Sequence, residues 1–110
     1  MHARHDEFVG HVKKYVNDVN ENAVAGIIRH LGIAIGNKDA ERVSCSEKKE
    51  LDRIRDGFMK KKLSLTDSNA DLEAAIQEIC DKMGRSNPHK SRVAFYYLLA
   101  EKYAMLDKFA

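Results

Sequence analysis

A chain of 110 residues can bury a hydrophobic core without metal or disulfide support, and its length predicts one helical domain over residues 1–110. Hydrophobic residues make up 44% and charged residues 33%, with one Pro, six Gly and no Trp, which excludes a disordered or fibrous chain and leaves room for long helices. Nineteen basic residues against seventeen acidic ones are too balanced for nucleic-acid binding by bulk electrostatics, so any basic site must be local.

From residue 5 to 19, Phe8, Val12, Tyr15 and Val19 recur at helical spacing, widened by Val9 and Val16, and predict a first amphipathic helix. Val24, Ile27, Ile28, Leu31 and Ile35 repeat the pattern after Asn20 or Asn22 as cap, with Gly32 and Gly36 as candidate stops. The short connection predicts an antiparallel hairpin. The stretch NKDAER breaks the apolar period and reads as a loop.

Ser44 with Glu47 three residues later has the spacing of a capping box, ahead of Leu51, Ile54 and Phe58, and predicts a third helix to about Lys62. Asp56 precedes Lys60 by four residues, the favourable order for a helix pair, and Lys60, Lys61 and Lys62 fall where a helix C-terminus prefers cations. Thr66, Asp67, Ser68 and Asn69 offer caps for a fourth helix, whose stripe is Leu72, Ile76, Ile79 and Met83 and whose stop is Gly84. Pro88 after Asn87 predicts the start of a fifth helix. From Val93 to Ala100 that helix carries no charge, which places it at the centre of the bundle. No period-two alternation competes, so the fold expected is an all-α compact bundle of about five helices, the last one central.

The segment MGRSNPHKSR poses the main functional question. Gly84 and Pro88 are explained by helix ends, and Ser86 or Asn87 by capping, but Arg85, His89, Lys90 and Arg92 crowd a predicted helix N-terminus where the macrodipole disfavours cations. An anion site is therefore expected at Arg85, Asn87, His89, Lys90 and Arg92, set against the plainer reading of solvated or paired charges. Cys45, at the predicted start of helix three, is a candidate reactive thiol, against which stands a capping role; Cys80 lies on the apolar stripe of helix four and reads as core.

His2, His5 and His11 reach metal-ligand spacing only on an early, ordered helix, and chain ends fray, so no metal or other cofactor is expected. His30 reads as solvated. No catalytic motif is legible, and Glu47, Glu50, Asp52 and Asp56 are spaced like a solvated helix face.

The strings NKDAERVSCSEKKEL, FMKKKLSL and AIQEICDKMGRSNPHKSRVAFYYLLAEKY resemble a family of small, all-helical bacterial proteins known only as a domain of unknown function. The resemblance implies a self-contained intracellular protein and carries no catalytic residue, substrate or cofactor. HARHDEF lies outside those strings.

The N-terminus MHARHDEF lacks the apolar core of a signal peptide, and no uncharged apolar run approaches the roughly 20 residues that span a bilayer. Without CxxC spacing, the two cysteines fit a reducing compartment and need not pair. The protein is expected to be cytoplasmic, without a membrane partner. It is expected to act by binding, as a homo-oligomer using apolar surface left by helix five or the first hairpin, or with a protein partner. The alternative is a nucleic-acid or phosphorylated-ligand binder at 85–92, with a thiol-based redox protein third.

Overall fold

The computed structural model describes residues 2–110. It is all-α, with five helices and no strand among the described residues. The helices are α1 (His5–Lys13), α2 (Glu21–Leu31), α3 (Lys48–Arg53), α4 (Asn69–Met83) and α5 (Arg92–Lys102); α3 runs on as a π-helical segment, Ile54–Lys62. Short 3-10 turns occupy Gly32–Ala34 and Leu106–Lys108. The chain divides into two compact units: residues up to Val43 together with His89–Ala110 form the first, and Ser44–Pro88 the second.

In the first unit α5 packs against both α1 and α2, which also pack on each other. Every residue from Val93 to Ala100 is buried, Tyr96 at 7% exposure being the least so. An uncharged run is thus used as a core helix on all sides, against Phe8, Val9 and Val12 of α1 and Val24, Ile27 and Ile28 of α2. This burial removes the apolar surface on which self-association through helix five was expected. The only large apolar side chain strongly exposed among the described residues is Ile33, and single exposed apolar residues are ordinary.

α1 is shorter than its apolar period predicts, ending at Lys13, with Tyr15, Val16 and Val19 only part-buried. The start of α2 is fixed by Asn20, whose N–H donates to the Tyr97 hydroxyl at 2.9 Å while its side chain caps the helix by accepting from Ala23 N at 3.0 Å. Tyr97→Phe is expected to leave that amide without its partner and cost about 1–2 kcal/mol, read as a lower urea midpoint. Gly32 closes α2 at φ +52, as its position as a stop predicts.

The largest correction concerns the start of α5. Pro88 and Asn87 do not open it; Ser91 is its N-cap and accepts from Ala94 N at 3.3 Å. The helix is displaced because residues 41–43 and 90–92 pair in a single antiparallel bridge, with Val43 N donating to Lys90 O at 2.8 Å and Arg92 N to Glu41 O at 2.7 Å. That extended pairing is incompatible with a helix through Lys90.

In the second unit Ser68 caps α4 by accepting from Asp71 N at 3.2 Å, and Gly84 ends it at φ +96. Asn87 serves this C-terminus rather than the start of the next helix, its side-chain amide donating to Met83 O at 3.1 Å. The capping box before α3 does not form: Glu47 is itself the N-cap without a side-chain bond, and Ser44 Oγ faces Ser46 Oγ at 3.3 Å. The reason is covalent, since Cys45 is bonded to Cys80 and the segment before α3 is anchored to α4. The pairing that the sequence left open is made in this structure. Wider π turns then place Ile54, Phe58, Met59 and Leu63 in the core together, with Leu63 N donating to Phe58 O at 2.9 Å. Asp56 and Lys60 form the expected pair at 3.5 Å.

Candidate functional site

The first unit contains a polar cavity of about 350 Å³. Its floor is organised by Arg4, just ahead of α1. The guanidinium donates to both Glu7 oxygens at 3.0 and 2.7 Å and to both Glu41 oxygens at 2.7 and 2.8 Å, and stacks 4.7 Å over the Phe8 ring. Bonding to Arg4 is the main reason both carboxyls are held below the usual carboxylate range; the Gly36 N–H adds to it at Glu41, donating at 2.6 Å. Across that cluster one arginine is bridged by two carboxylates.

Above the floor, His11 Nδ1 lies 3.0 Å from Ser91 Oγ and its Nε2 3.9 Å from Glu7 Oε2. Burial pushes the imidazole below its ordinary value, outweighing the opposing pull of Glu7. His11 is therefore neutral at pH 7 and can take the Ser91 hydroxyl proton in a hydrogen bond. A hydroxyl, an imidazole and a carboxylate thus meet from three distant parts of the chain, which no linear motif announces. The arrangement stops short of a nucleophilic triad: the Ser91 oxygen is committed to capping α5, and 3.9 Å is too long for a His11–Glu7 hydrogen bond.

The rest of the wall is cationic. Lys14, Lys38 and Arg42 line the cavity, are exposed, and have no salt bridge among the described residues. His89 completes it. With the Arg4–Glu7–Glu41 cluster at one net negative charge, three further cations leave the cavity net positive with His11 neutral.

Of the anion site expected from sequence, only His89 reaches this cavity. Arg85 and Asn87 belong to the second unit, where Arg85 bridges Asp81 and Gln77 of α4. Lys90 is buried, at 4% exposure. The Arg92 side chain donates to the carbonyls of Ala40 and Arg42 and, at 3.2 Å, to the Tyr96 hydroxyl, so it ties the 40–42 loop to α5. With α5 beginning at Arg92, the backbone near residues 87–90 is no helix N-terminus and offers no free helical N–H groups to an anion.

The three N-terminal histidines do not converge either. His2 Nδ1 accepts from Arg4 N at 3.0 Å, and His5, buried on α1, places Nε2 3.3 Å from Glu21 Oε1, near Asp6. His30 is exposed, as expected, with its ring edge-to-face to Phe109 at 6.2 Å. Cys45, weighed as a reactive thiol, is in a disulfide and no cysteine is free.

The geometry defines an all-α protein with a positively charged polar cleft. The chain belongs to the DUF2853 family, described as proteins of unknown function, whose model matches residues 7–107. No curated protein matches it. All cavity residues named here lie within that match except Arg4, which precedes it. No helix is long and apolar enough to cross a membrane among the described residues.

Proposed function

We propose that the protein binds a small anionic ligand, of the phosphate or phosphorylated-metabolite class, in the cavity of the first unit. Three cations without carboxylate partners around a cavity of about 350 Å³ carry this reading. Such a volume suits a small molecule rather than a macromolecule. Arg4 holds Glu7 and Glu41 in place, the first unit presents Lys14, Lys38 and Arg42, and His11, its Nδ1 accepting from the Ser91 hydroxyl, offers its Nε2–H as a directional donor to a phosphoryl oxygen.

Titration with inorganic phosphate, followed by amide chemical shifts, is expected to perturb the cavity residues and to weaken with added salt. Lys38→Gln combined with Arg42→Gln should lower affinity at least tenfold, with thermal stability unchanged because neither side chain is paired. Shifts confined to residues outside the cavity would end the proposal.

Affinity should also rise as pH falls from about 7.5 to 5.5, provided the probe keeps its charge, as sulfate does. The folded value of His11 lies below its unfolded value, so the neutral ring contributes stability that is fully present above about 6.5 and lost as pH falls through the folded value. A bound anion favours the imidazolium and opposes that loss. Glu7 and Glu41, depressed by Arg4, stay ionised over this range. His89 also lines the cavity, so His11→Gln is the control: the His11 share of the sulfate pH dependence should vanish in calorimetric titrations.

A further inference from the structure

The Cys45–Cys80 disulfide is asymmetric. Cys80 sits on α4 at 0% exposure among the buried residues Ile76, Ile79 and Met83. Cys45 is only half-buried and lines a second cavity of about 350 Å³ within the second unit. One sulfur faces an opening and its partner is sealed, so a dissolved thiolate has access to Cys45 alone.

The opening is not apolar throughout. Lys48, Asp52, Glu73 and Gln77 line it with Cys45, and they are linked by charge: Lys48 Nζ lies 3.0 Å from Asp52 Oδ2, and Arg55 bridges Asp52 at 3.2 Å and Glu73 at 2.7 Å. An ammonium and two carboxylates around one cavity match a small thiol that itself carries ammonium and carboxylate groups. The volume accommodates an amino-acid or short-peptide thiol.

We infer that Cys45 is an exchange site for a low-molecular-weight amino-acid or peptide thiol, which opens the disulfide by forming a mixed disulfide on Cys45 and not on Cys80. The incoming thiolate attacks Cys45 Sγ, the Cys45–Cys80 bond breaks, and the electron pair leaves on Cys80, which takes a proton. In the reverse step Cys80 loses that proton, attacks Cys45 Sγ and expels the small thiol as thiolate. If a second small thiolate attacks its own sulfur in the mixed disulfide, a symmetrical small disulfide leaves and Cys45 is released as a thiolate, so two electrons pass to the protein. Cys80, sealed on α4 beside Cys45, stays in place as the resolving thiol. The chemistry is independent of the anion cavity, which lies wholly in the other unit.

The test uses the full chain in graded mixtures of reduced and oxidised glutathione, quenched with acid and mapped by mass spectrometry. The expected result is a glutathionyl group on the Cys45 peptide, with Cys80 free in the same molecules. In single variants treated with oxidised glutathione, Cys45 of Cys80→Ala should be modified at least tenfold faster than Cys80 of Cys45→Ala. A glutathionyl group on Cys80 in the native wild-type chain, equal rates in the two variants, or opening only at the rate of global unfolding would each overturn the assignment. The wild-type mapping decides the question even if a variant folds poorly.

Discussion

Cys45→Ala is expected to lower unfolding free energy by about 4 kcal/mol under non-reducing conditions. The bond spans a sequence separation of 35 residues, and loop-closure entropy places a link of that span between about 3 kcal/mol for a short loop and 5 kcal/mol for a long one. The loss is concentrated in the second unit, where the anchored segment precedes α3 and the π-helical turns. A reducing agent should bring the wild-type urea midpoint down to that of the variant and leave the variant itself unmoved. Equal midpoints for wild type and variant without reductant would mean that the link adds nothing to stability. Against a typical total of about 5–15 kcal/mol, the expected loss is large enough to expose the second unit to local unfolding.

Gly26→Ala should cost about 3 kcal/mol, although alanine is the better helix former. A Cβ at this position of α2 would lie 1.9 Å from the backbone oxygen of Phe109 and 2.7 Å from its Cβ. The obstacle is main chain and cannot swing aside. Either α2 shifts, or the C-terminal segment lifts and exposes Phe109, which is 3% exposed and whose burial is worth about 1.5–3 kcal/mol. Urea unfolding measures the cost, and amide exchange in residues 106–110 should accelerate. A variant as stable as wild type, gaining the roughly 1 kcal/mol that alanine offers in an exposed helix, would show that the close approach is absent.

Helix identity was legible wherever it depended on local pattern. The stripes of α2 and α4, the stop Gly84 and the uncharged run buried in α5 follow from side-chain type at fixed spacing, while Asn20, Ser68 and Gly32 are the members used among several candidates at each helix end. Boundaries failed where a distant partner set them. The hydroxyl of Tyr97 takes the Asn20 amide and fixes where α2 begins, and the bridge between 41–43 and 90–92 moves the start of α5 past Pro88. Basic residues grouped in sequence at 85–92 are therefore separated by use, Arg85 along α4 and Arg92 onto the carbonyls of the 40–42 loop.

Composition and periodicity by themselves determined an all-α chain with α5 as its buried helix, because apolar burial and backbone capping are local demands that each segment answers from its own residues. Tertiary structure alone decided that Cys45 meets Cys80 and that Arg4, Glu7, His11, Glu41 and Ser91 share one cavity. Those residues lie up to 87 positions apart, from 4 to 91, and their meeting depends on how helices pack and loops close, which no short window of sequence encodes.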